Sequence, residues 1–303
     1  PSSIGELINL HSIHISDCGL SGEIPSQIGN LENLVSLQIY DNNHDLPDSL
    51  NMDIDCNLTG EIPAEIGNLI NLQQLDLRNN QLTGVIPTEL TNLANLNTLL
   101  LNGNQLTGEI PSQIGSFQEL VSMDFGNNQF VGEIPESLFA LTNLNFLVLG
   151  NNNLEGYINS NINNLSLVYF LDLSSNNFSG QLPIEFNDLD LYFLKLNNNQ
   201  FSGTIPYEFC NIDYIDLSNN NFCLPYPDCI SEVDIGYQDI SECIECSAVL
   251  NDLNNDLSLN VMDIILMVDC IIINSCNECS DLNDDGSTDI LDIIDLVNII
   301  LAE

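Results

Sequence analysis

Basic side chains are nearly absent from this chain. Arg78 and Lys195 stand against 44 acidic residues, for a formal charge of −42 over 303 residues. Such a surface repels nucleic-acid phosphates and anionic membranes, which excludes both as partners and speaks against membrane insertion. It also opposes compaction unless salt or divalent cations screen it. That points to a saline or extracellular setting rich in calcium, although a general preference for acidic surfaces would leave the same trace. Histidine is scarce too: His11, His14 and His44 all lie near the start, and no Ser or Cys sits in a nucleophile-type sequence. Carboxylate pairs abound by composition alone and carry no catalytic information. An enzyme is not expected. No run of about 18 uncharged apolar residues exists, so no transmembrane helix is expected either. A signal peptide is not visible, and Pro1 begins in mid-repeat: PSSIGELINL matches PSQIGNLENL at Pro25. The chain reads as a fragment or a processed product.

What the chain has in abundance is one pattern, L-x-x-L-x-L-x-x-N-x-(L/F)-(T/S)-G-x-I-P, in nine copies. Its Asn-type position falls at Cys18, Asn42, Asn80, Asn104, Asn128, Asn152, Asn176, Asn199 and Asn220. A fixed period of this length predicts a solenoid, each coil stable only where its neighbours cover its apolar face. The leucines and the Asn face inward while the residues between them alternate outward. A buried Asn amide can satisfy the backbone of each bend, coil after coil. Gly serves the sharp turn and Pro a position where a backbone donor is dispensable. The far side has no helical period, so short strands and 3₁₀ turns are expected there.

Three outward positions per coil can be read in columns. The first runs Ser12, Ser36, Gln74, Thr98, Ser122, Phe146, Phe170, Phe193 and Tyr214. Phe146, Phe170, Phe193 and Tyr214 thus form a stripe about 15 Å long at the usual strand spacing. Three readings stand: mutual stacking between coils, a site for an external protein or glycan, or a seat for the C-terminal segment. In the middle column Lys195 lies between Asp172 and Asp216, and Asp76 lies beside Arg78, both read as local charge compensation.

The repeat resembles the plant-type leucine-rich repeat over about residues 1–229. That family is found in plant receptor ectodomains, polygalacturonase inhibitors and bacterial surface proteins. The resemblance implies a β-rich, right-handed curved solenoid with a parallel concave sheet that binds proteins or glycans. One coil departs, with an inserted loop over about residues 43–56 that carries several acids. Cys18 and Cys56 both precede a turn segment and share one column, which makes them disulfide candidates on adjacent coils.

Eight of the ten cysteines lie at or beyond Cys210, in keeping with an oxidised, exported protein. Residues 1–222 are taken as the solenoid and 223–247 as a stapled cap and linker. Cys223 with Cys229 and Cys210 with Cys243 are the candidate pairs, among the many connectivities that sequence allows.

From about residue 248 the pattern changes. DLNNDLSLNVMD (residues 252–263) and DLNDDGSTDILD (residues 281–292) align without gaps at an offset of 29, each leading into an apolar helix. Oxygen side chains at loop positions one, three, five, nine and twelve match an EF-hand-like calcium loop. This segment resembles a dockerin, the calcium-dependent all-α module that plugs into cohesin domains. The resemblance assigns Asp252, Asn254, Asp256, Ser258, Asn260 and Asp263 to one Ca²⁺. It assigns Asp281, Asn283, Asp285, Ser287, Asp289 and Asp292 to a second. Leu257 stands where the second loop has Gly286, so the second site should be the stronger. Val261-Met262 and Ile290-Leu291 replace the polar recognition pair of cellulosomal dockerins. Two such apolar helices cannot cover each other in a small module. A cohesin-like domain, a second copy of the chain or the solenoid's own end must cover the rest.

These features predict an extracellular or cell-surface binding scaffold anchored through its calcium module. A structural subunit of an extracellular array, or an accessory component of a polysaccharide-degrading complex, would use the same parts. Sequons at Asn57, Asn164 and Asn177 are no more than chance supplies in so Asn-rich a chain.

Overall fold

The computed structural model describes residues 1–16, 20–40, 58–224, 226–241, 243, 261–273 and 288–302. They fall into two compact units, Pro1–Ile240 and Ser241–Glu303.

In the first unit the inward leucines close a continuous core. Leu75, Leu99, Leu147, Leu171 and Leu194 are almost or wholly buried, and Phe125, Phe130, Phe178, Phe201 and Phe222 fill the wider places. Each coil contributes one short strand to a nine-stranded parallel sheet, from Ser12–Ser16 and Ser36–Tyr40 through to Phe193–Lys195 and Tyr214–Asp216. Its register pairs Ser122 with Phe146, Phe146 with Phe170, Phe170 with Phe193, and Phe193 with Tyr214. The outward columns expected from the repeat are therefore columns of the sheet.

The (T/S)-G segments pair as well, into six- and three-stranded parallel sheets of their own. 3₁₀ turns such as Glu136–Ala140 and Ser160–Asn164 complete each coil. The short strands and 3₁₀ turns read from the sequence are what forms there.

A ladder of buried amides runs through the coils. Asn104 donates from Nδ2 to the Leu77 and Leu101 carbonyls at 3.0 and 2.9 Å, and its Oδ1 accepts the Leu82 N–H at 3.0 Å. Asn128, Asn152, Asn176, Asn199 and Asn220 repeat this pattern, each tying its own coil to the one before. The amide answers backbone groups that would otherwise be buried unpaired at every bend.

At the C-terminal end the first unit closes on a cap. Ser231 caps a short helix, α1 (Glu232–Ile235), its Oγ accepting the Asp234 N–H at 3.2 Å. Ile230 and Ile235 cover the last apolar rung. Gly236 then turns back at φ +58°, where a Cβ would stand 2.4 Å from the Ser218 Cβ. That turn delivers Gln238 to the ladder. Its Nε2 donates to the Leu217 and Ile235 carbonyls at 2.9 and 2.6 Å, and its Oε1 accepts the Phe222 N–H at 3.0 Å.

The disulfide pairing differs from expectation. Cys210 bonds to Cys229, with Cα atoms 5.5 Å apart, in place of Cys223 with Cys229 and Cys210 with Cys243. The bridge joins the 3₁₀ turn of the preceding coil, Tyr207–Asn211, to the cap, a contact between coils that spacing along the chain does not reveal. Cys223 and Cys243 are each disulfide-bonded. Cys18 and Cys56 lie outside the described residues.

The second unit contributes two helices, α2 (Val261–Ile273) and α3 (Ile290–Ala302). Met267 and Leu296 are buried, and Asp263 and Asp292 are fully buried in the first turn of each helix. Each of these pairs is related by the offset of 29 read from the sequence. Val261, Met262 and Ile265 are exposed on α2, and the equivalent Ile290, Leu291 and Ile294 on α3.

Candidate functional site

The concave sheet places the four aromatics of the stripe side by side. Parallel pairing in register stacks like on like, and Phe146, Phe170 and Phe193 obey it closely. Phe146 and Phe170 lie 4.4 Å apart between centroids at 22°, and Phe170 and Phe193 lie 4.0 Å apart at 5°. Tyr214 closes the row at 6.4 Å from Phe193, tilted by 36°. The inner rings therefore spend their faces on one another and turn their edges to solvent. Stacking between coils, one of the readings left open by the sequence, is what the geometry displays.

Two further aromatics widen the stripe and were not read from the sequence. Tyr169 and Tyr192 stand one residue ahead of Phe170 and Phe193, outside the strands, and each is 48% exposed. Tyr192 packs edge-on against Tyr214 at 5.2 Å. A hydrogen bond between their hydroxyls raises the Tyr192 pKa. The signal lay one column before the outward three. Reading it gives Val121, Asn145, Tyr169 and Tyr192, an aromatic turn at the same coils.

Beside the stripe runs an acidic column. Asp124, Asp172 and Asp216 each accept a backbone N–H two residues on, from Gly126, Ser174 and Ser218 at 3.0, 2.9 and 3.1 Å. One oxygen of each carboxylate is thereby committed to holding the bend after the strand. Asp124 departs in its electrostatics. Burial pushes its pKa up to about 6; the Gly126 N–H lowers it, Asp172 raises it further, Arg78 lowers it and Asp76 raises it. Among the described residues this carboxylate closes no ion pair, Arg78 acting on it only from a distance.

Lys195 stands in register between Asp172 and Asp216, as expected. Its ammonium lies 5.3 Å over the Phe193 ring. Among the described residues it closes no ion pair with either aspartate. At the other end of the sheet Arg78 does pair with Asp76, Nε to Oδ2 at 3.4 Å, and covers the Tyr40 ring at 4.5 Å. The Tyr40 hydroxyl in turn meets His14 Nε2 at 2.9 Å.

Of the residues assigned to cations, Asp263, Asp289 and Asp292 are described. The Asp292 carboxylate accepts the Asp289 N–H at 2.7 Å while Asp289 accepts the Leu291 N–H at 2.7 Å, a reciprocal cap at the start of α3. Asp252, Asn254, Asp256, Ser258, Asn260, Asp281, Asn283, Asp285 and Ser287 lie outside the described residues.

The stacked parallel strands, 3₁₀ turns and Asn ladder make residues 1–240 a leucine-rich-repeat solenoid. Family models described as leucine rich repeat match residues 51–106 and residues 9–31, 119–141, 168–189 and 190–212. Among solved structures, the chain is 34% identical to a TDR receptor, covering 76% of this chain and 42% of that one, with a TM-score of 0.62. It is 32% identical to the Arabidopsis receptor kinase HAESA, solved with the peptide hormone IDA and the co-receptor SERK1, covering 75% and 36% with a TM-score of 0.67. A plant ice-binding protein is 29% identical and covered over 75% of its length, 78% of this chain being aligned, with a TM-score of 0.64. Among curated proteins none matches. The repeats are leucine-rich repeats of the plant receptor-ectodomain type, and the chain spans less than half the length of those two receptor chains.

Proposed function

We propose that this protein is a non-catalytic extracellular scaffold whose concave sheet holds a partner protein. The observation that carries the reading is the aromatic patch of Phe146, Phe170, Phe193, Tyr214, Tyr169 and Tyr192 on an otherwise polar, acidic face. Apolar groups gathered on one polar face mark interaction surfaces, and exposed tyrosines contribute contact area at low conformational cost. The stacking favours a protein over a glycan, because a sugar seeks open ring faces and the stack spends most of its faces on one another. HAESA, solved with a peptide hormone, lends the same weight. No helix among the described residues is long and apolar enough to cross a membrane. The disulfides fit an oxidising compartment.

The C-terminal unit serves in this reading as a calcium-dependent anchor. The donor set fits a hard cation: two oxygen-rich loops, each ending on a buried carboxylate, Asp263 and Asp292, at the start of a helix. Asp252, Asn254, Asp256, Ser258 and Asn260 would complete the first site, and Asp281, Asn283, Asp285, Ser287 and Asp289 the second. Bound Ca²⁺ would tie loop to helix. The exposed faces of α2 and α3 would meet a cohesin-like domain or another copy of the chain.

Two experiments test the reading. Peptides selected from a displayed library on the native protein should lose binding to a Phe170→Ser, Phe193→Ser double variant; equal binding to both proteins would overturn the concave site. Light scattering with and without EDTA tests the anchor, which requires a change in assembly or hydrodynamic size when calcium is removed.

A further inference from the structure

We propose that the concave face carries a seat for one positively charged side chain, Arg or Lys, of its protein partner, formed by the outer face of Phe146 and the Asp124 carboxylate. This deepens the binding-scaffold reading and rests on it. Among the described residues no ring stacks on Phe146 at the end of the row away from Phe170. Phe146 gives one face to Phe170, and its register neighbour on the preceding coil is Ser122, a small side chain with no ring to cover the other face. Two residues along the same strand as Ser122 stands Asp124, half-buried and, among the described residues, closing no ion pair, its one committed oxygen accepting from Gly126.

Elsewhere in the same stack the chain itself sets a cation over an aromatic ring. Lys195 lies over Phe193 while its column neighbours are Asp172 and Asp216. An aromatic face with carboxylates on the adjoining coils is therefore an arrangement in which this sheet holds a cation. At Phe146 the position two residues along is Val148, so no cation of the strand itself takes that face. A guanidinium or ammonium from outside would stack on Phe146 and neutralise Asp124. Charge complementarity fixes the sign of the partner, since a chain of net charge −42 draws cationic segments to it. Tyr169, Tyr192 and the ring edges beyond would hold the apolar remainder of the same segment.

The test uses the full chain and a fluorescent synthetic peptide alternating Arg with Leu, beside its citrulline counterpart, which keeps the shape and removes the charge. The Arg peptide should bind at least tenfold more tightly than the citrulline peptide at physiological salt. Asp124→Asn and Phe146→Ser should each weaken it at least fivefold. Glu155→Gln, which removes the same charge from the separate six-stranded sheet, should leave it within twofold. Equal weakening by Asp124→Asn and Glu155→Gln would reduce the effect to bulk attraction and overturn the seat. Binding lost in Phe170→Ser, Phe193→Ser but indifferent to Asp124→Asn would also overturn the seat, while leaving the concave site standing. Binding indifferent to every one of these concave substitutions would remove both.

Discussion

Gln238 stands one coil beyond Asn220 and does for the last turn what the asparagines do for the turns before it. The two residues are joined by a parallel bridge, and both amides donate to the Leu217 carbonyl, at 3.0 Å from Asn220 and 2.9 Å from Gln238. The extra methylene lets a side chain outside the repeat reach the ladder. Replacing Gln238 by Leu would strand the Phe222 N–H and the Ile235 carbonyl in a buried place, the Leu217 carbonyl keeping its bond from Asn220. A buried polar group without a partner costs about 1–3 kcal/mol. Gln238→Leu should therefore lose about 3 kcal/mol in urea denaturation, and Gln238→Asn, too short to span the gap, about half of that. A Leu variant as stable as the parent would show that the cap needs no last rung.

The bridge from Cys210 to Cys229 holds that cap to the preceding coil across a separation of 19 residues. Closing a loop of this size contributes about 3 kcal/mol by restricting the unfolded chain. A Cys210→Ser, Cys229→Ser double variant should lose close to that in equilibrium denaturation. The cap should then become the first segment cut by a protease.

Much of this was legible in the sequence, and the reason is periodicity. A parallel sheet in register turns a linear repeat into columns, so aligning the coils is enough to place Phe146, Phe170, Phe193 and Tyr214 together. The Asn positions announced the ladder in the same way. What escaped lay where the period stops or where a side chain chooses among neighbours. Gln238 sits in a segment with no repeat to align. Tyr169 and Tyr192 precede the strands, where alternation no longer says which way a residue points. The partner of Cys229 was hidden because nearness along the chain favoured Cys223, whereas the solenoid brings the coil of Cys210 under the cap. Lys195 was placed correctly in its column, but the column could not say that its ammonium would lie over a ring.

Asp124 gives the fold a pH dependence of definite sign. Its folded pKa of about 6 lies above the ordinary 3.8, so the folded state favours the protonated acid. That contribution is fully present below pH ~4 and is lost as the pH rises through ~6. Asp124→Asn keeps an acceptor for the Gly126 N–H without the charge. It should raise stability near pH 7 by about 1–2 kcal/mol and flatten the profile between pH ~4 and ~6. A profile identical to that of the parent would mean that the carboxylate is well solvated.

Calcium makes a separate prediction for the tail. If the twin loops hold Ca²⁺, isothermal titration should give two sites, the one containing Asp281 and Gly286 the tighter. Asp292→Ala should abolish that tighter site and leave the first. A titration showing no saturable calcium uptake would remove the anchor and leave the solenoid as the sole functional element.

The chain contains no tryptophan, which makes the concave site directly observable. Tyr192→Trp places a single reporter inside the aromatic patch, and Tyr157→Trp places one just beyond the Asn153–Gly156 strand of the six-stranded sheet, at a residue 73% exposed. Titrated with the Arg peptide, the Tyr192→Trp protein should shift its emission saturably while the Tyr157→Trp protein stays unchanged. Silence from both reporters, or an equal response from both, would contradict the claim that this face of the solenoid is where the protein holds its partner.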